Sequence, residues 1–260
     1  SAVGFAALLN NTTGSYNSAL GRQALRSNTT ASGNTATGYQ ALYANTTGAY
    51  NSAYGYTALT ANVGGGENNA FGRNALGANI SGNGNSAFGH RSLQANTASN
   101  NTAFGHSALV ANNSGTSNVA VGREALQANT TASNNTAVGY QALYDNTTGA
   151  NNIAVGGYSL WNNTTANNNT SMGYSSLSAN TTGGENTAFG RSALGSNTTA
   201  SNNTAVGYQA GYNNTTGAEN VAVGRSAMFD TSTGSYNTAL GRSALASNTT
   251  ASNNTAVGYQ

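Results

Sequence analysis

The chain has no cysteine and no proline, and its eight basic residues are all arginine. Without cysteine there is neither a disulfide framework nor a thiolate metal site. Charged residues make up only 5% of the chain and the net charge is +2, so no strong field exists to recruit nucleic acid or an anionic membrane. No apolar run approaches the roughly 18 residues of a membrane span, and no basic region followed by an apolar signal core opens the sequence. Membrane insertion by this segment is therefore not expected. The 34 glycines follow no G-X-Y period, which excludes collagen. A chain this polar and uncharged would suit disorder, were its apolar residues not arranged in regular columns.

Those columns come from a repeat. The glycine of an N-x-A-x-G core recurs at Gly4, Gly21, Gly38, Gly55, Gly72, Gly89, Gly105, Gly122, Gly139, Gly156, Gly173, Gly190, Gly207, Gly224, Gly241 and Gly258. Every step is 17 residues except the 16 from Gly89 to Gly105. Such a register is the signature of a solenoid, in which each repeat is one rung and buries its apolar face only against neighbouring rungs. Residues 1–260 read as a single array of about 15 repeats. Both ends fall inside a repeat with no atypical capping rung, so a segment of a longer fibre, or ends covered by another chain, is expected.

Each column has its own character. Asparagine stands four residues before the glycine, as at Asn17, Asn34, Asn51, Asn135, Asn152 and Asn203. A second asparagine column lies seven after it, including Asn28, Asn45, Asn129, Asn146 and Asn197, with Thr231 the exception. Stacked identical asparagines predict hydrogen-bonded amide ladders along the stack. A varied apolar residue precedes the glycine (Val3, Leu20, Phe71, Val138, Phe189), alanine precedes that, and leucine usually follows four residues on, as at Leu25, Leu42, Leu143 and Leu194. The two large apolar columns are five apart, which strict alternation would place on opposite faces. The glycine is accordingly expected to be a corner that resets the phase between two short strands, closed by an NTTG or NTTAS turn. The result is an all-β fold, a parallel β-solenoid with 17-residue rungs; helical repeats need rungs about twice as long and better helix formers. At about 4.8 Å per rung the array would extend roughly 70 to 80 Å. A rung this thin, with about 3 to 5 kcal/mol of side-chain burial, would gain by packing against identical coils. A homotrimer with a shared apolar seam is expected, possessing either end-to-end or continuous stacking.

The core at Asn135 to Leu143, N-T-A-V-G-Y-Q-A-L, and its copy at Asn203 to Ala210 resemble the repeats in the heads of trimeric autotransporter adhesins and the shaft repeats of phage and bacterial surface fibres. That resemblance implies a left-handed β-roll, three chains side by side, displayed outside a cell or on a virion. The turn here is longer than in the compact adhesin-head repeat.

No nucleophile, base and orienting group are grouped in the sequence, and the acids Glu67, Glu124, Asp145, Glu185, Glu219 and Asp230 are scattered. No enzymatic activity, cofactor or phosphate loop is expected. The position after the glycine is the most function-like column: Arg22, Tyr39, Tyr56, Arg73, Arg123, Tyr140, Tyr174, Arg191, Tyr208, Arg225 and Arg242, with His90 and His106 in consecutive rungs. Tyrosine and arginine are favoured at recognition surfaces, although the simpler role is to cover neighbouring rungs. The two histidines are a weak metal candidate, having no third ligand in the pattern. The Asn-x-Thr sequons at Asn28, Asn45, Asn146 and Asn180 are read as turn residues rather than glycosylation acceptors. The expected function is an extracellular structural or adhesive fibre making multivalent contacts with a glycan or cell surface. Two alternatives are ice binding through turn threonines such as Thr130, Thr147, Thr164, Thr181, Thr198 and Thr215, and non-catalytic carbohydrate binding. Nucleic acid is not expected as a partner.

Overall fold

The computed structural model describes residues 1–260 and contains no helix. The chain divides into two compact units, Ser1–Ser133 and Asn134–Gln260. In the first unit the strands are β1 (Ala2–Val3), β2 (Ser18–Leu20), β3 (Thr35–Thr37), β4 (Ser52–Tyr54), β5 (Asn69–Phe71), β6 (Ser86–Phe88), β7 (Thr102–Phe104) and β8 (Val119–Val121). In the second they are β9 (Thr136–Val138), β10 (Ile153–Val155), β11 (Thr170–Met172), β12 (Thr187–Phe189), β13 (Thr204–Val206), β14 (Val221–Val223), β15 (Thr238–Leu240) and β16 (Thr255–Val257). Within each unit the strands pair in parallel and in chain order. Like lies over like: Thr187, Ala188 and Phe189 pair with Thr204, Ala205 and Val206. The fold is the parallel β-solenoid that the spacing predicts.

Two details differ from the expectation. Each rung has one strand, not two. The stretch after the glycine is a run of turns in which alternate residues are left-handed, as at Gln40 (φ 51°) and Leu42 (φ 55°). That alternation sends successive amides to opposite neighbours. The Gln40 N–H donates back to the Arg22 carbonyl at 3.0 Å, and the Leu42 N–H donates forward to the Ala58 carbonyl at 3.0 Å. A strand would have satisfied the same groups without the left-handed penalty, about 1 to 2 kcal/mol per residue. Full burial of the leucine, about 2 to 3 kcal/mol, offsets it, and Leu25, Leu42, Leu59, Leu76 and Leu143 are completely enclosed.

The second difference concerns the apolar residue before the glycine, expected in the core and found outside. Strand alternation turns the central alanine inward, so Ala36, Ala53, Ala137 and Ala188 are buried, while the residues on either side face out. Leu20, Phe104, Phe189 and Leu240 are exposed. The glycine does make a corner, but only the leucine column turns in after it. The core is therefore narrow, built from two alanine columns, one leucine column and two asparagine columns.

Both asparagine columns are buried ladders, of different kinds. In the first, the side-chain oxygen accepts the backbone N–H of the next asparagine: Asn34 N donates to Asn17 Oδ1 at 2.9 Å, and Asn51, Asn152 and Asn203 repeat the pattern. Its amide nitrogen reaches the turn of the next rung, as from Asn34 to the Gly48 carbonyl and from Asn135 to the Gly149 carbonyl, both 2.9 Å. The second column is an amide-to-amide chain: Asn45 Nδ2 donates to Asn28 Oδ1 at 3.0 Å, Asn129 to Asn112 at 2.7 Å and Asn197 to Asn180 at 2.8 Å. Its other hydrogen closes the turn three residues on, as from Asn45 to Gly48 and from Asn146 to Gly149. One turn carbonyl, Gly48 O, thus uses both lone pairs on asparagines of two columns. Buried amides bonded on every side leave no room for a sugar, so the sequons at Asn28, Asn45, Asn146 and Asn180 serve the turn.

The residue that follows the turn links neighbouring rungs. A serine or asparagine after the small turn residue accepts the amide of the preceding rung, as in Thr116 N to Ser133 Oγ (3.0 Å), Ala150 N to Asn167 Oδ1 (2.7 Å), Gly184 N to Ser201 Oγ (3.1 Å) and Ala218 N to Ser235 Oγ (3.0 Å). Ala150, Gly184 and Ala218 hold no side-chain oxygen of their own and only donate, whereas Asn83 and Ser235 both accept and donate.

The ladder breaks where the sequence departs from the repeat. The 16-residue repeat loses one turn residue, and Asn96 Nδ2 bonds the Ala98 carbonyl two residues on, at 2.8 Å, instead of three. Asn79 Oδ1 is left buried without a partner. Thr231 in place of asparagine orphans Asn214 Oδ1 in the same way, and the Thr231 hydroxyl is itself unpaired. Gly211 replaces the leucine nearby, leaving a small cavity lined by Leu194, Ala222 and Met228. The double variant Gly211→Leu, Thr231→Asn is expected to stabilise the fold by about 2 kcal/mol through burial and one restored ladder bond. Urea unfolding followed by circular dichroism checks this as a higher midpoint; an unchanged or lower midpoint contradicts it.

Candidate interaction face

Two outward columns flank the strand-ending glycine, and together they form the most feature-rich surface. The column before the glycine carries an aromatic stack unforeseen from the sequence. Tyr54, Phe71, Phe88 and Phe104 lie face over face with centroids 4.6, 4.6 and 4.5 Å apart. Their planes are within 12° of parallel, so each ring covers its neighbour and presents its edge to solvent. The signal was present in the sequence, as four aromatics in consecutive rungs of one column.

The column after the glycine is a ladder of cations and rings. Arg22 lies between Phe5 and Tyr39, at 5.9 Å from each centroid. Tyr39 stacks on Tyr56 at 5.1 Å, and Arg73 covers Tyr56 at 5.8 Å. Arg191 sits between Tyr174 and Tyr208, and Arg225 approaches Tyr208 at 5.7 Å. Arg242 packs on Tyr259 at 5.3 Å. Tyr140 meets Tyr158 edge to face at 5.2 Å, and Tyr158 meets Tyr174 the same way at 5.7 Å. Tyr158 is one residue further along than its column mates and fills the gap left by Gly157. Arg123 is ion-paired to the adjacent Glu124 at 3.0 Å. The column thus covers neighbouring rungs, with the rings half exposed.

His90 and His106 are brought together as the spacing predicts, with centroids 5.1 Å apart and planes tilted by 40°. Their surroundings are cationic. The His90 imidazole is held below its ordinary range by burial first, then by His106, Arg73 and Arg91. Cationic neighbours disfavour a metal ion as they disfavour a proton, and no group of three or more His, Cys, Asp or Glu side chains is assembled in the structure. Nor do the six acids meet as pairs in a cleft; burial raises the Asp145 carboxyl above its usual range without a partner acid.

The turn threonines are tied into the fold. The hydroxyls of Thr147, Thr164, Thr181, Thr198 and Thr215 donate to the carbonyl of the next rung at 3.0 to 3.1 Å. They give no support to a water-ordering role.

No protein-family model matches the chain, and no curated protein sequence matches it.

Proposed function

We propose that the chain is a shaft segment of an extracellular structural or adhesive fibre, assembled from copies of itself. The observation that carries this reading is the outward apolar column on the strand face. Val3, Leu20, Tyr54, Phe104 and Val121 are exposed in the first unit and Phe189, Val206, Val223, Leu240 and Val257 in the second, while Phe71, Phe88, Val138, Val155 and Met172 of the same column are half-buried. Contiguous apolar surface of this kind marks an interaction site. Its side chains repeat at about 4.8 Å along the stack, and a partner that fits them rung by rung must carry the same repeat. A second copy of this chain does. The low charge, with net +2 over 260 residues, leaves little repulsion between copies. Three copies around a shared seam would bury the column with cyclic symmetry, and the half-exposed Tyr and Arg column beside it would supply many weak, identical contacts to a surface.

Sedimentation equilibrium tests the assembly. The expected mass is that of a trimer, and the double variant Phe189→Asp, Val206→Asp is expected to shift it towards monomer with an unchanged far-ultraviolet spectrum. A wild-type chain that sediments as a monomer at every concentration would remove the proposal.

A further inference from the structure

One stretch of the surface differs from the rest in charge and shape. Between Glu67 and the ion pair of Arg123 with Glu124 the chain carries Arg73, His90, Arg91 and His106 and no carboxylate. Elsewhere in the column Arg22 and Arg191 lie between two aromatic rings, and Arg225 and Arg242 each pack on one. Here Arg73 has a ring on one side only, Tyr56, and His90 follows it in the next rung. Arg91 is exposed and bonded to Gln94 at 2.6 Å, with no acid opposite. Four cationic or protonatable groups therefore stand in three consecutive rungs, repeating at about 4.8 Å.

Arg91 also lines a groove. Two shallow depressions, of about 310 and 460 Å³, share Ala78 and Gln94 and so form one trough. The fifth residue after the glycine is small here, at Thr60 and Gly77, whereas the preceding repeat has Tyr43 and repeats of the other unit have Tyr144, Trp161 and Phe229. Alanine and glycine form its floor, while Asn74, Arg91 and Gln94 provide amide and guanidinium groups along it.

We propose that this groove binds an acidic polysaccharide, with carboxylates on successive sugars paired to Arg91 and to the Arg73, His90 and His106 column. A linear chain matches a linear trough, and polar amides suit sugar hydroxyls. Single-stranded nucleic acid is the competing polyanion, and it needs free aromatic faces on which bases can stack. Few are free at this place: Tyr56 is covered by Tyr39 and Arg73, and His90 and His106 lie against each other. The site assigns a ligand class to the adhesive reading but uses only residues of the first unit, and it does not depend on assembly.

The groups facing His90 are His106, Arg73 and Arg91, all of them cationic or able to become so. A bound carboxylate relieves that repulsion and raises the imidazole's proton affinity, so binding takes up protons and strengthens as pH falls through the histidine range.

The test is titration of the full-length chain with fluorescently labelled polygalacturonate, with neutral dextran and an oligo-thymidine strand as comparisons. Expected are binding of polygalacturonate alone, tighter at about pH 5.5 than at about pH 7.5, weakened by salt, and reduced at least tenfold by Arg73→Ala, Arg91→Ala. Arg26→Ala, which removes an arginine outside that column and outside the groove, is expected to leave it unchanged. The proposal is overturned if polygalacturonate does not bind, if Arg26→Ala lowers affinity as much as the arginine pair does, or if the oligonucleotide binds as tightly. Sedimentation of the same samples separates the two readings: a trimer that ignores the polysaccharide removes only the site, and a monomer that binds it removes only the fibre.

Discussion

Gly207→Ala is expected to destabilise the second unit by about 4 kcal/mol or more, enough to consume much of the stability of an ordinary domain. The glycine sits at φ +137°, in a region that side chains rarely enter, and a Cβ there would meet the Gly224 carbonyl oxygen at 2.5 Å and its carbon at 2.7 Å. Both atoms are backbone in the next rung, so neither can swing away. Relief would require separating two rungs, which breaks the Gly224 N–H bond to the Val206 carbonyl, now 2.8 Å. Gly157→Ala supplies the contrast. Its Cβ would touch the Tyr174 ring at 3.5 Å and the Tyr140 carbonyl oxygen at 3.9 Å, both ordinary contacts, and the expected change is within about 0.5 kcal/mol. Thermal and urea unfolding of the two variants should differ accordingly. Equal stability would mean that the periodic glycine is not a point of backbone contact.

Asn163→Asp should produce the second large effect, and one that depends on pH. Asn163 is fully buried and donates to Asn146 Oδ1 at 2.8 Å and to the Ala166 carbonyl at 3.1 Å, while its own oxygen accepts from Asn180 at 2.9 Å. An ionised carboxylate replaces two donors with none and faces two oxygens. The protonated acid can still supply one hydrogen. Folding therefore raises the aspartate's pKa above its unfolded value of about 3.9. The sign follows from linkage: below that value both states are protonated and the variant suffers only the loss of one donor, about 1 kcal/mol. As pH rises from about 4 to the raised folded value, the unfolded state ionises first and stability falls, by about 1.4 kcal/mol for each unit between the two pKa values. Urea midpoints measured from acid to neutral pH should decline for the variant relative to the wild type. A difference independent of pH would show that the side chain is not held inside the amide ladder.

The repeat and the asparagine columns were legible because each answers to a constraint that acts on every rung. An amide in a one-atom-wide ladder can be replaced only by another amide, and Thr231 shows the consequence, leaving Asn214 with an orphaned oxygen. The second strand was misread because left-handed backbone at the leucine column has no marker in residue type: leucine occupies it in most rungs, with Gly211 and Met228 the exceptions. A marker did exist twelve residues after the periodic glycine, where Gly33, Gly84, Asn134, Asn151 and Asn168 have positive φ, as does Asn100, eleven after it in the shortened repeat. The outward apolar column was readable too. Thr37, Tyr54, Phe88 and Val138 differ too much in size to share one packed layer, whereas the alanine beside them hardly varies. The charged trough at Arg91 needed the fold, because it depends on which small residues stack beneath one another.

All of this rests on seventeen residues advancing the chain by one in-register layer. The absence of native cysteine makes that directly measurable, because nitroxide labels can be attached at Thr187→Cys and Thr204→Cys without background. The two positions are paired partners in adjacent strands, separated by about 5 Å. With labelled chains diluted in unlabelled ones, the electron paramagnetic resonance spectrum is predicted to show strong spin–spin broadening that vanishes when either label is omitted. A doubly labelled chain whose spectrum equals the sum of its two singly labelled forms would contradict the layered solenoid.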